Sequence, residues 1–253
     1  MRYRDYEPHD LQRAGFKIHQ LAGLEIDNIE NAFVGVVRKV LGQINDGKEA
    51  TVYLCAMDRR SGVELGAAKI FKSRNFRHFD TDRNYRNFNK IRNKRDRKHL
   101  KKRGGSGDRA FHFHWVKSEW DTLSLLHDIG VRVPRPMMHY EDGILMEFIG
   151  SENGAAPRLI NCKLNSNEVS NVAERLRHDI GLMLENDVVH GDLSPYNILY
   201  DGIEPVIIDV PQAMPFSTTP NAYGMAHRDL SNLDRYFEKQ GLTTTFVDLL
   251  NKL

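Results

Sequence analysis

The chain has 253 residues, 40% hydrophobic and 28% charged, with a net charge of only +2. That is ample for a core in one compact unit or two small lobes. No apolar run approaches bilayer length, so no membrane partner is expected. The first ten residues, Met1 to Asp10, are mostly charged or polar and do not resemble a signal peptide. Cys55 and Cys162 lack metal or disulfide spacing, which points to a reduced, cytoplasmic setting.

In chain order, residues 1–35 form an opening segment in which Ile18, Leu21, Leu24 and Ile29 suggest a short helix or strand capping a small lobe. Ile44 to Leu54 reads as strand, tight turn, strand, with a single glycine, Gly47, at the turn. It is neither a P-loop nor GxGxxG, so it is either a phosphate-holding turn or an ordinary hairpin. Twenty-two residues after Gly47 comes Lys69, inside the apolar run Ala67-Ala68-Lys69-Ile70-Phe71. A lysine there is costly unless paired. Lys72 reads as its solvent-facing neighbour.

The modest net charge hides an asymmetry. Residues 72–103 hold 14 Lys/Arg and 3 Asp/Glu, a balance of +11, against −9 for the rest. Phe76, Phe79, Tyr85 and Phe88 lie among these basic residues. The block suits a polyanion such as RNA, with the aromatics stacking on bases. It equally suits a solvated, flexible insert, drawn here over 72–110.

Trp115, Val116, Trp120, Leu123 and Leu126 recur at helical spacing. Glu119 lies close to that face and is the expected partner of Lys69, with Asp121 the lesser candidate. Gly130 closes the helix and Val133-Pro134-Arg135-Pro136 forces an extended exit. A hairpin turning at Asp142-Gly143 comes next, ending in a bend at Gly150. Asn165 with Glu168 reads as a capping box, ahead of Val169, Val172, Ala173, Leu176, Ile180 and Leu184 on one helical face.

The densest chemistry is His190-Gly191-Asp192-Leu193-Ser194-Pro195-Tyr196-Asn197, followed by Ile207-Ile208-Asp209. An Asp, an Asn five residues on and a second Asp seventeen residues after the first are the set that phosphoryl transfer needs. Asp192 would orient and deprotonate the acceptor, while Asn197 and Asp209 hold Mg²⁺. A hairpin turning at Asp201-Gly202 would bring Asn197 and Asp209 to the same end. In a two-lobed kinase the strand end at Met146-Glu147-Phe148-Ile149 is the hinge. Backbone groups of Glu147 and Ile149 would meet the adenine edge, with Met146 bordering the pocket.

Together, Gly47-Lys48-Glu49-Ala50-Thr51-Val52-Tyr53, Lys69, the Glu119 helix, Met146-Glu147-Phe148, the His190–Ser194 loop with Asn197, Ile208-Asp209-Val210-Pro211-Gln212 and the tail Ala226–Phe237 resemble the RIO family of atypical protein kinases. The resemblance covers about residues 36 to 240. It implies an α+β, two-lobed protein-kinase-like fold: an N-lobe over 36–148 with an antiparallel sheet and one helix, and a mainly helical C-lobe over 149–253. It implies a serine/threonine protein kinase using ATP with Mg²⁺ or Mn²⁺. Asp192 would be catalytic and Lys69, positioned by Glu119, would bind phosphate. Asn197 and Asp209 would bind metal, and Gly47, Lys48, Glu49, Ala50, Val52, Met146, Glu147 and Ile149 would surround the nucleotide. Autophosphorylation and a ribosomal RNA or pre-ribosomal partner are further implications of the resemblance.

The departures from ordinary protein kinases are specific. Ser194 stands where they usually carry Lys, Asp209 is followed by Val-Pro, and no APE-like segment comes after it. With 44 residues after Asp209, the lobe that holds a peptide in ordinary kinases is expected to be largely missing. Two rivals stand beside it: an ATPase switch docking on a ribonucleoprotein, which needs the same residues, and a small-molecule phosphotransferase of the aminoglycoside or choline kinase-like type, which shares the His190-Gly191-Asp192 loop but is opposed by the Gly47-Lys48-Glu49-Ala50 turn and the Asp209-Val210-Pro211-Gln212 run.

Overall fold

The computed structural model describes residues 23–59, 62–72, 105–151 and 154–252. They fall into two units. The first takes the described residues through Trp120, with Pro136–Phe148 and Gly154; the second takes Asp121–Arg135, Ile149–Ser151 and the chain from Ala155. The stretch 121–135 thus sorts with the second unit, although the sequence places it inside a lobe running to 148.

The first unit is built on an antiparallel sheet of β1 (Val37–Asp46), β2 (Ala50–Arg59), β3 (Gly62–Phe71), β4 (Pro136–Tyr140) and β5 (Gly143–Glu147), in the order β1-β2-β3-β5-β4. Side chains alternate across a strand, and directly opposed residues share a face. Tyr53, Ala68 and Leu145 are aligned across the three central strands. With Cys55 and Met57 they pack against Ile29 and Phe33. Ile29 lies in α1 (Gly23–Ala32) and Phe33 directly follows it. The opening segment is therefore part of the first core, and its residues 1–22 lie outside the described residues. Each such large side chain contributes roughly 1.5–3 kcal/mol on burial. Cys55 is a core residue whose thiol is pushed up to about 12 by burial.

The helix carrying Glu119 is α2 (Gly105–Asp128). It begins inside the Gly104–Gly107 run, so residues 105–110 are helical and the insert expected through 110 ends earlier. Glycines in a first turn cost little hydrogen bonding, because those N–H groups have no intrahelical acceptor in any case. The basic residues 73–103 lie outside the described residues. At the other end, Gly130 adopts φ 88°. Its N–H reaches His127 O at 3.1 Å and the Val131 N–H reaches Leu126 O at 3.0 Å, a Schellman closure.

In the second unit, α3 (Ser166–Glu185) starts with the expected capping box: Asn165 accepts from the backbone of Asn167 and Glu168, and Glu168 reaches back to the Asn165 N–H. The predicted apolar face is buried throughout. Next come β6 (Val188–Val189), β7 (Ile198–Tyr200), β8 (Pro205–Ile207) and β9 (Met214–Pro215), with β7 paired to β8 and β6 to β9. The β7–β8 connection is not a two-residue turn. Tyr200 pairs with Pro205, and Asp201 Oδ1 accepts the N–H groups of Ile203 and Glu204 at 2.8 Å each. This side-chain bridge shapes a wider loop than Asp-Gly alone suggests. Helix α4 (Ala222–Lys239) comes last of the long elements. Its Phe237 stacks on Phe246 at 5.5 Å, and its Asp234 accepts from Thr244 Oγ1 and the Phe246 N–H.

Candidate active site

On the sheet face opposite the α1 core, the register aligns Ala50 with Phe71, Val52 with Lys69 and, across to β5, Lys69 with Ile144 and Ala67 with Met146. Ala50, Val52, Lys69 and Met146 therefore share one face. Lys69 and Phe71 are two apart on a strand, Trp115 and Glu119 four apart on a helix, so each pair presents a single row. The rows meet: Phe71 and Trp115 are 6.1 Å apart by ring centroids, and Lys69 Nζ donates to Glu119 Oε1 at 2.6 Å. The ammonium also lies 5.3 Å from the Phe71 ring centroid. Both partners of the ion pair are largely withdrawn from water, at 12% and 5% exposure. Asp121, the lesser candidate, is exposed and sorts with the second unit.

The turn between β1 and β2 holds Gly47, Lys48 and Glu49. It is closed by the Gly47 N–H on Ala50 O at 2.9 Å, while Glu49 O accepts from the Lys72 N–H at 2.8 Å. Glu147 pairs with Gly66 at the end of β5. Ile149 belongs to the second unit, and its carbonyl accepts from the Ala156 N–H at 3.0 Å.

In the second unit, β6 leads into the His190 loop. His190 is buried, and burial pushes its imidazole below its ordinary value. Nδ1 accepts the Asp192 N–H at 3.3 Å, which leaves Nε2 to donate to Ile208 O at 3.1 Å. One neutral ring thus joins the backbone of Asp192 to that of the residue before Asp209. Gly191 adopts φ 84°, and a Cβ there would lie 2.6 Å from Gln212 O. Only glycine fits this bend.

Asn197 ends a short 3₁₀ turn, Pro195–Asn197. Its Nδ2 donates to Asp192 O at 2.8 Å and approaches Asp192 Oδ2 at 3.4 Å. Its backbone carbonyl accepts from the Ile208 N–H at 3.0 Å, extending the β7–β8 ladder by one step. Asp209, immediately after, takes the left-handed conformation at φ 64° and is exposed. Asp192, Asn197 and Asp209 therefore stand together at one end of the hairpin. Asp192 is exposed as well.

Helix α4 supplies groups that sequence reading left without a role. Arg228 Nη2 donates to Gly191 O at 2.5 Å and to Asp229 Oδ1 at 2.9 Å. Burial pushes the Asp229 carboxyl above its ordinary value. Asn232 Nδ2 lies 3.5 Å from Leu193 O. The tripeptide His227-Arg228-Asp229 stands out in the sequence, but nothing local says that it addresses a loop 37 residues upstream.

A family model described as the RIO domain matches residues 66–249. The RIO-type serine/threonine-protein kinase Rio1 of Thermoplasma acidophilum is 31% identical over 130 residues, 51% of this chain and 67% of that protein. Its namesake in Haloferax volcanii is 30% identical over 202 residues, 79% of this chain and 63% of that protein. The serine/threonine-protein kinase RIO1 of Caenorhabditis elegans is 27% identical over 218 residues, 84% of this chain but only 40% of that protein. The chain thus spans about two thirds of the archaeal relatives and less than half of the animal one. A crystal structure described as a kinase domain superposes with a TM-score of 0.55 over 94% of this chain and 73% of the other, at 13% identity, which shows the fold.

Proposed function

The chain belongs to the RIO domain family, and we propose from that premise that it is an ATP-dependent serine/threonine protein kinase, moving the γ-phosphoryl group to a protein hydroxyl. The observation that carries the reading is the hairpin end where Asn197 Nδ2 is hydrogen-bonded to Asp192 and Asp209 comes one residue after the ladder closes.

The residues fit a hard divalent cation. Asn197 directs its side-chain amide nitrogen at Asp192, so its side-chain Oδ1 remains to serve as a ligand. The Asp209 carboxylate adds oxygen donors of the kind Mg²⁺ or Mn²⁺ takes. A bound ion would offset charge on the phosphate oxygens. The protein groups do the rest. Asp192 orients the attacking hydroxyl and accepts its proton, a contribution of about 10²–10⁴-fold in rate. Lys69 holds phosphate oxygens, and Glu119 fixes the direction of its ammonium. His190, neutral at physiological pH, keeps the Asp192 and Ile208 backbones in register without adding a competing charge.

The reading is tested with γ-labelled ATP and Mg²⁺ on wild type and Asp192→Ala, with and without a generic protein acceptor and ribosomal RNA. Label on protein, lost in the variant, is the expected result. Inorganic phosphate release that RNA stimulates, with no labelled protein, would replace the kinase by an ATPase switch. Turnover unchanged by Asp192→Ala would overturn the site.

A further inference from the structure

Lys72 does not behave as a solvent-facing strand residue. It lies one position beyond β3, yet both ends of the residue are directed at the β1–β2 turn. Its backbone N–H donates to Glu49 O at 2.8 Å. Its Nζ donates to Gly47 O at 2.8 Å and to Asp46 Oδ1 at 2.5 Å. Asp46 Oδ1 also accepts from Thr51 Oγ1 at 2.7 Å, and Thr51 is buried. One lysine therefore gathers two carbonyls and a carboxylate from residues 46–49, while Thr51 anchors the same carboxylate from β2.

The chemistry of this cluster is at odds with simple sheet reinforcement. A turn that is to meet phosphate must present N–H groups and keep carbonyl oxygens and carboxylates turned away or neutralised, because each repels an anion. Here the turn carries Asp46, a fixed negative charge next to Gly47. Lys72 cancels that charge and fastens the Gly47 carbonyl in one contact. The same contact, with the Thr51 hydroxyl, holds the Asp46 carboxyl below its ordinary value, so it is ionised and needs cancelling at neutral pH.

We propose that Lys72 is a positioning residue for the nucleotide phosphates, acting through the Gly47 turn by neutralising Asp46 and holding the Gly47 carbonyl. It acts alongside Lys69 and does not itself touch the nucleotide. The inference rests on the kinase reading, and it assigns to Asp46, Thr51 and Lys72 a part that the catalytic residues do not cover.

The test is a double-mutant cycle on the full chain with Lys72→Met, Asp46→Asn and the combination, reading KM for ATP, kcat, and equilibrium affinity for ATP and adenosine. Lys72→Met should raise KM for ATP about three- to tenfold, the range of a partly exposed ion pair plus one hydrogen bond. It should leave kcat within about twofold, because uniform binding is lost and not transition-state contact. ATP affinity should fall by a matching factor and adenosine affinity should not change. Adding Asp46→Asn should recover a large part of the loss, because the uncovered charge is gone. Equal weakening of ATP and adenosine, or a lowered melting temperature with unchanged KM, would make Lys72 a structural residue only and overturn the proposal. No recovery in the double variant would overturn the charge argument. Wild type that binds no ATP would instead overturn the kinase reading, so the two failures are distinguishable.

Discussion

Lys69 and Glu119 show how much depends on one contact. Both are nearly dry, and the ammonium also borders the Phe71 ring. A desolvated ion pair adds little when both charges are present, but removing one partner strands the other, at a cost of roughly 3–5 kcal/mol. Glu119→Ala should therefore lower unfolding free energy by about 3 kcal/mol. It should also reduce kcat/KM by about 10²-fold through a misdirected Lys69. Lys69→Met combined with Glu119→Leu should regain most of the stability and none of the activity. Urea unfolding and steady-state kinetics on wild type and the two variants check this. A double variant as unstable as Glu119→Ala would show that the stranded charge is not the cause. Sequence reading could name both residues, because a lysine in an apolar run needs a partner. That they meet across 50 positions is a property of the fold.

Among the elements, α3 illustrates what short-range chemistry specifies. Its capping box involves only Asn165 to Glu168, with Asn165 Oδ1 accepting two N–H groups at 3.0 Å each. Asn165→Ala should cost about 1 kcal/mol of stability, the usual loss for such a cap. Turnover should be unchanged, because none of the groups proposed to be catalytic touches the cap. A shift in the chemical-denaturation midpoint at constant slope is the measurement, and an unchanged midpoint would mean that the cap is idle. The β7–β8 loop marks the boundary of this legibility. Strand, turn and strand are readable, but the Asx bridge from Asp201 widens a turn that the dipeptide Asp-Gly alone predicts to be tight.

For the molecule as a whole, buried titratable groups set how stability varies with pH. His190 faces Asp192, Asp209 and Asp229, and desolvation outweighs their attraction, so its pKa is depressed from the ordinary 6.5. The unfolded chain therefore binds the proton first, and stability falls as pH drops below 6.5 toward the folded-state value. Asp179 and Asp229 act with the opposite sign. Burial raises both above the ordinary 3.8, so the folded state protonates first and some stability returns in more acid solution. Urea unfolding at about pH 7.5 and about pH 5.5 should show a loss in wild type that shrinks in His190→Gln. An equal loss in both would assign the effect to other groups.

The grouping of the residues proposed to be catalytic, and the elements that carry them, are legible in the amino-acid order. Asp192, Asn197 and Asp209 sit within one loop–hairpin unit, and strand alternation, helical periodicity and capping are all short-range signals. How distant residues serve that unit is settled only by the folded chain. Arg228 and Asn232 reach the Gly191 and Leu193 carbonyls from α4, and Lys72, which reads in sequence as an ordinary surface lysine, bends back across 26 positions onto Asp46. Such contacts leave no periodic trace, because a side chain's partner is set by the path of the backbone between them and not by its neighbours in the chain.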